Sequence, residues 1–364
     1  MKVSYIATSN LHSKAANAVH VTNMISAYKA NNIDLKAIVS VSNSKDIVGF
    51  NKLNKDYKTL NNILFSLWSL FKSKNSNFIH TRSWMVAFFS IFSGNKTVLE
   101  LHDFEANRNF FIKKIFDNIY KSKNIIGIIY ITKSLCVDYE YLANKYKIKR
   151  KYLILPDGAN IPTQDYKYNS SLIDEKLFNI GYSGHLYEGK GVEVLLKLAK
   201  YLKKDEHIHV LGGMQNDIIY WTEKFKEKEL FDKITFHGYH HHNLVASFLK
   251  QMDVLLLPIQ DKVSVFGGQG NISKYTSPLK MFEYMISGTP VIASNISVLK
   301  EILKHNENSL IVEFDNIISW NESLGRLRND IDLKEKISKN AKNEVENKYT
   351  WRIRAKKIID EFSN

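Results

Sequence analysis

Ser277-Pro-Leu-Lys-Met-Phe-Glu-Tyr-Met-Ile-Ser-Gly-Thr-Pro-Val-Ile-Ala-Ser294 is the stretch that decides how this chain reads. Leu279, Phe282, Met285 and Ile286 recur three and four apart, the spacing of one apolar helix face. Ser277 suits the N-cap, and Pro278 suits the first helical position, where a missing N–H costs nothing. Gly288 supplies the C-terminal stop, and Pro290 to Ser294 reads as a short buried strand that proline can only begin. Two charged residues, Lys280 and Glu283, sit three apart on the helix. By periodicity alone they are a solvated surface pair. A helix N-terminus, however, also offers N–H groups that attract phosphate.

Outward from this stretch, short apolar runs alternate with longer amphipathic ones. In the first half, strands are expected near residues 3–7, 36–41, 78–80, 97–101, 125–131 and 152–155, with helices near 14–31, 61–74, 84–92, 108–122 and 133–146. In the second half, strands are expected near 178–183, 207–211, 234–237, 254–257, 291–293 and 310–312. The matching helices fall near 191–203, 218–231, 243–250, 278–287, 298–304, 333–348 and 351–362. Such alternation means α/β architecture with parallel sheets covered on both faces. Pro156-Asp-Gly-Ala-Asn-Ile-Pro162 and the polar tail to about Leu172 break the pattern and mark the domain boundary, placing a first domain at 1–165 and a second at 166–348.

The chain has 364 residues, enough for two ordinary domains, and 44% hydrophobic residues, enough for real cores. Its one cysteine, Cys136, excludes an internal disulfide or a thiolate metal cluster, suits a reducing cytoplasm, and reads as a small buried residue. Lys2 to Thr8 reads as a strand, not a signal peptide, and the longest apolar runs fall far short of the roughly 20 residues of a membrane span. Residues 1–165 hold 23 Lys and Arg against 11 Asp and Glu, whereas 166–364 hold 28 against 26. A Lys-rich bias alone would affect both halves, so the first half is expected to face an anionic partner. No basic–aromatic stripe points to nucleic acid.

Gly184-His-Leu-Tyr-Glu-Gly-Lys-Gly191 joins the first strand of the second half to its first helix. Glycines there let backbone N–H groups approach phosphate, and Lys190 can add a charge-assisted bond; an ordinary tight turn is the plainer alternative. With Pro-Leu-Lys-Met-Phe-Glu-Tyr-Met and Gly-Thr-Pro-Val-Ile-Ala-Ser, this loop resembles family 4 glycosyltransferases. Those enzymes have the GT-B fold, two Rossmann-like domains facing across a cleft, with the terminal helix, here 349–364, crossing back to the first domain. The resemblance is specific at 181–191 and 275–294 and extends to layout elsewhere. It implies that Glu283 holds the ribose of a nucleotide-sugar, that N–H groups near Ser277, Leu279 and Lys280 meet its diphosphate, and that Lys190 does so by charge. His185 stands where the family usually has Arg, and Tyr275 where the family has the first of two glutamates. Gly184 and the loop's glycines would admit the phosphates, and Tyr239, after Gly238, falls where the family's base often lies. Gly267-Gly-Gln-Gly270 reads as a mobile loop.

In the first half, Leu99-Glu-Leu-His-Asp103 ends a central strand, where open parallel sheets bind ligands. The resemblance makes His102 a residue that stabilises the transition state or touches the transferred sugar. Asp103 and Glu105 would orient it or meet acceptor hydroxyls. His80-Thr-Arg82 resembles another family segment, with Arg82 toward an acceptor phosphate. Asn17 and His20 belong to the small-residue stretch at the first loop.

His240-His-His242 and Asp330-Ile-Asp332 invite metal readings. Consecutive side chains diverge in the first, and Asp before a helix is a routine N-cap in the second, so no metal site is expected. The resulting expectation is a retaining, metal-independent glycosyltransferase needing no cofactor. Its substrate is a nucleotide-sugar, UDP-sugar favoured over GDP-sugar. Its acceptor is lipid-linked or polysaccharide, at the inner face of a bacterial cell membrane. The alternatives are a GT-B nucleotide-sugar epimerase and a non-catalytic membrane-surface binding protein.

Overall fold

The computed structural model describes residues 1–13, 16–42, 44, 46–50, 58–147, 150–162, 167–169, 171–262 and 273–363. The expected loop Gly267–Gly270, residue 165 at the expected boundary, and the expected helix start at Lys14 lie outside these residues. The chain divides into two compact units, Met1–Asp157 with Trp351–Asn364, and Gly158–Thr350.

The first unit runs β1 (Lys2–Asn10), α1 (Ala16–Ala30), β2 (Asp34–Val41), β3 (Ile47–Gly49), α2 (Lys58–Lys72), β4 (Phe78–Thr81), α3 (Trp84–Ser93), β5 (Thr97–Leu101), α4 (Phe110–Lys121), β6 (Ile125–Tyr130), α5 (Lys133–Tyr146) and β7 (Lys151–Ile154). Its strands form one parallel sheet in the order β3-β2-β1-β4-β5-β6-β7. The second unit runs β8 (Phe178–Ser183), α6 (Val192–Leu198), β9 (Glu206–Leu211), α7 (Gln215–Glu227), β10 (Ile234–Gly238), α8 (His242–Lys250), β11 (Val254–Leu257), α9 (Leu279–Ser287), β12 (Val291–Ser294), β13 (Leu310–Val312), α10 (Ile317–Asn329) and α11 (Ile331–Lys348). Its parallel sheet has the order β10-β9-β8-β11-β12-β13. The last helix, α12 (Trp351–Phe362), belongs to the first unit and packs beside α1.

Each sheet reverses its strand order once, between β1 and β4 and between β8 and β11. At such a switch point, neighbouring loops part to opposite faces and leave a crevice at the carboxyl ends of the strands. Local chemistry sets the helix ends. Asn109, Thr132 and Asp330 accept from the backbone N–H three residues on, capping α4, α5 and α11. Gly288 ends α9 at φ 79°, a left-handed geometry that glycine adopts without strain.

Four local readings are corrected. Pro278, not Ser277, holds the N-cap of α9, because its ψ of 119° is extended rather than helical. Residues 299–301 form a single 3-10 turn instead of a helix, while α10 and the short edge strand β3 stand where none was expected. Cys136 is only half-buried. His242 opens α8, one residue before the helix start expected at 243, and His241 caps it.

Burial of α12 turns on one charge. Arg354, almost fully buried, places Nη2 3.0 Å from Glu100 Oε2 and donates from Nε to the Pro156 carbonyl at 2.9 Å. The neighbouring Trp351 ring stands edge-on to His20, 4.9 Å between centroids. Removing one member of such a buried pair leaves the other desolvated and uncompensated. Arg354→Met is therefore expected to destabilise the first unit by about 3–5 kcal/mol in urea denaturation, and Glu100→Gln in the same chain to recover part of the loss.

Candidate functional site

In the second unit the candidate site grows from the end of β8. Tyr182 and Ser183 close that strand, and Tyr284 on α9 clasps it. The Ser183 N–H donates to the Tyr284 hydroxyl at 2.6 Å, and that hydroxyl donates to the Ser183 carbonyl at 3.2 Å. The loop that follows is held by the Trp221 indole, which donates to the Leu186 carbonyl at 2.9 Å. Two glycines make the close approach possible. A Cβ on Gly191 would lie 2.0 Å from the Pro258 carbonyl oxygen, and one on Gly212 would lie 2.5 Å from that of Gly184, both at positive φ.

Two lysines converge on this loop. Lys280 Nζ donates to the Tyr182 hydroxyl at 3.0 Å and sits 4.2 Å from that ring's centroid. It lies 3.5 Å from where a Gly184 Cβ would be. Burial, then the charge of Lys190, pushes the Lys280 ammonium well below its usual range. Burial likewise lowers Lys190 to about 8. His185 beside them is pushed down by burial and by both lysines, so it is neutral where an Arg would be charged. Glu283, one turn along α9, is partly buried. Its carboxylate stands 3.6 Å from His242 Nε2, and burial raises its pKa despite the cations nearby. Lys280 and Glu283 are thus not the solvated pair that periodicity alone suggests.

In the first unit a second constellation gathers at the carboxyl ends of β4 and β5. Its hub is Glu100, 1% exposed. Oε1 lies 2.5 Å from His102 Nε2 and 3.0 Å from His20 Nε2; Oε2 lies 3.0 Å from His80 Nε2 and from Arg354. His20 Nδ1 meets Asp157 at 2.8 Å, and His80 Nδ1 meets the Tyr28 hydroxyl at 2.8 Å. The Arg82 guanidinium lies along the His102 ring, 2.9 Å from Nε2 and 3.2 Å from Nδ1. Burial, aided by Arg82, lowers His102 to about 3, so its imidazole is neutral. Burial alone would raise Glu100, but Arg354, His20 and the hydrogen bond from His102 hold it well below its usual value.

Residues 164–344 match the family model described as glycosyl transferases group 1. That match covers most of the second unit. The chain is 23% identical over 333 residues to the UDP-Gal:alpha-D-GlcNAc-diphosphoundecaprenol alpha-1,3-galactosyltransferase of Escherichia coli, covering 85% of this chain and 79% of that one. It is 28% identical over 190 residues to the uncharacterized glycosyltransferase MJ1607 of Methanocaldococcus jannaschii, covering 52% of this chain and 45% of the other. The chain therefore spans about half the length of that relative. Among solved structures, Anabaena Alr3699/HepE in complex with UDP superposes at a TM-score of 0.77 over 100% of both chains, with 12% identity. That likeness shows the fold, which is GT-B.

The second unit thus brings Gly184, His185, Lys190, Lys280 and Glu283 to the end of β8 and the first turns of α9. Tyr275 is buried just before α9, with Lys274 Nζ 5.3 Å from its ring, and Ser277 and Leu279 are half-buried. Tyr239 is 53% exposed after β10. In the first unit, His20, Arg82 and His102 meet, and the Asn17 carbonyl accepts from Arg82 at 3.4 Å. Asp103 turns instead to its own loop, accepting from the Phe104 N–H at 2.8 Å and pairing with Arg108 at 3.3 Å. Glu105, raised to about 7 by burial, also pairs with Arg108, at 2.9 Å. The sequence reading missed Tyr182, Tyr284, His80, Asp157, Arg354 and the hub role of Glu100. A lone carboxylate inside the apolar strand Val98-Leu-Glu-Leu101 was the available signal for the last.

The buried cluster sets a pH response. Glu100 and Asp157 are held below their usual values, and burial holds neutral His80 and His102 below theirs. In every case the unfolded chain binds protons first. The stability of the first unit should therefore be full above about pH 6.5 and decline as pH falls, through the histidines first and then the carboxylates. Urea titrations at pH 7.5 and 5 measure this, and His102→Gln should flatten the slope between them.

Proposed function

We propose that this chain transfers a sugar from a nucleotide-sugar to an acceptor, with retention and without metal, as a family 4 enzyme. The observation that carries the reading is the pair of partly buried lysines, Lys190 and Lys280, at the loop that follows β8. Two like charges driven below their usual ionisation by burial are stabilised by a dianion, and a nucleoside diphosphate supplies one. Pro278 at the N-cap of α9 has no side chain that can accept from the first N–H groups, which suits the Leu279 and Lys280 N–H groups to the same phosphates. Lys280 then carries the charge that neutral His185 cannot.

In this mechanism the lysines and the helix end stabilise the leaving diphosphate as negative charge develops on it. Glu283 accepts from the ribose hydroxyls, and Tyr239 stacks on the base. Tyr275 leaves no carboxylate where the family has its first glutamate, so the transferred sugar is read by other groups. In the first unit, neutral His102, held by Glu100 and Arg82, is assigned to the transferred sugar, and Asn17, His20 and Arg82 to the acceptor side. The E. coli relative is named for UDP-Gal and a diphosphoundecaprenol-linked sugar, and the HepE structure holds UDP. These names favour a UDP-sugar and a lipid-linked or polysaccharide acceptor in bacterial surface-glycan assembly, at the inner face of the membrane.

Thermal unfolding with UDP, GDP, dTDP and CMP tests the donor site. At about 100 times its dissociation constant the bound nucleotide should add roughly 2.7 kcal/mol. Glu283→Ala and Lys190→Met should each weaken binding by about 1.5–3 kcal/mol, the worth of a hydrogen bond to a charged group. The anion favours protonated Lys190, so affinity should hold below pH 8 and fall as pH rises through it, an inflection absent from Lys190→Met. Absence of any nucleotide shift in the folded protein would sink the reading.

A further inference from the structure

The outer face of α4 carries a feature that donor binding does not use. Phe110 and Phe111 open this helix with 64% and 78% of their surface exposed, their rings 6.1 Å apart. Phe116, Ile119 and Tyr120 take the buried face, so the two phenylalanines are not core residues displaced by a turn. Exposed lysines share this helix: Lys113 and Lys114 within a turn of the phenylalanines and Lys121 at its end, with Lys123 just after it. Lys114 Nζ lies 4.5 Å from the Phe110 ring centroid. On neighbouring α5, Val137 and Tyr141, four residues apart, are exposed, and Lys113 Nζ lies 6.0 Å from the Tyr141 ring. Two adjacent aromatics at a helix start gain nothing from water, and helix propensity would favour other residues there.

We propose that this face of α4 and α5 docks on an anionic lipid bilayer, with Phe110 and Phe111 entering the headgroup boundary and the lysines meeting lipid phosphates. Charge selects this occupant. Residues 104–152 contain eleven Lys and Arg against four Asp and Glu, which is most of the excess in the first half. Arg108 is engaged by Asp103 and Glu105, Lys145 by Asp117, and Arg150 by backbone carbonyls. The lysines around the phenylalanines therefore set the sign of the outward field. A second copy of the chain, meeting this face two-fold, would bring Lys113 and Lys114 against themselves. An apolar wedge ringed by cations is instead the arrangement that binds an anionic interface. No helix among the described residues is long and apolar enough to cross a membrane, so contact here would be peripheral. The start of α4 follows β5, on the same strand ends that hold His102, so docking would bring that edge to the lipid surface.

Co-sedimentation of the full chain with vesicles tests this without any donor, so its outcome is separate from that of the glycosyl-transfer reading. The chain should pellet with phosphatidylcholine vesicles containing phosphatidylglycerol, much less with phosphatidylcholine alone, and less as salt rises. Phe110→Ser with Phe111→Ser should lower the partition at least about tenfold. Lys113→Gln and Lys114→Gln should each lower it roughly fivefold, while Lys200→Gln, an exposed change in the second unit, leaves it unchanged. Unaltered circular dichroism and urea midpoints confirm that the variants fold. Three results would overturn the proposal: no binding by the wild type, equal binding by the phenylalanine variant, or a concentration-dependent dimer that the phenylalanine variant abolishes.

Discussion

Glu100 is a carboxylate with almost no contact with water, and the first unit is arranged around its charge. An ion in that position is tolerated only when paired and hydrogen-bonded on every side. The partners come from β4, β5, α1 and α12, and Asp157 in the exit turn closes the set through His20. The chain leaves the unit after Asp157 and re-enters it at Trp351, so one ion cluster joins the residues on both sides of that excursion. The same contacts that stabilise the unit hold His102 neutral and in one orientation. Stability and the presentation of a candidate sugar-binding imidazole are therefore not independent properties.

The second unit treats charge in the opposite way. Lys190 and Lys280 are partly desolvated with no carboxylate bonded to either among the described residues, and the hydroxyl of Tyr182 is what Lys280 holds. An arriving anion would offset the cost of that arrangement, which is what favours the proposed phosphate site there. Tyr182 and Tyr284 set the geometry. One hydroxyl donates to the His185 carbonyl at 2.7 Å, and the other bonds both backbone groups of Ser183, so strand end, loop and α9 move as a piece. The contrast between the two clusters, Glu100 matched by its partners and Lys190 with Lys280 facing no bonded carboxylate among the described residues, is what favours the second unit for the proposed phosphates.

Much of this was legible beforehand. The alternation of apolar strands with amphipathic helices reports how each segment buries one of its own faces, and the two parallel sheets follow from it. The Gly288 stop is local chemistry and reads directly, whereas the Asn109 cap lies one residue inside the helix expected over 108–122. What failed was also physical. β3 is three residues long and too short for periodicity to register, and α10 is apolar on only a narrow stripe. Pro278 could sit at N-cap or first helical position, and the path of the chain before it decides between them.

The amino-acid sequence by itself determined the two α/β sheets, the glycine-bearing loop before α6 with Lys190 on it, and the helix that carries Glu283. Each depends on neighbours a few residues away. Only the tertiary structure decided that Lys280 turns inward onto Tyr182 beside Gly184, that Glu100 is answered by Arg354, and that Asp103 turns to Arg108 and not to His102. Partners such as Glu100 and Arg354 are far apart in the chain. A charge in sequence carries no record of which distant group will neutralise it, because that choice is made by packing and desolvation when the elements meet.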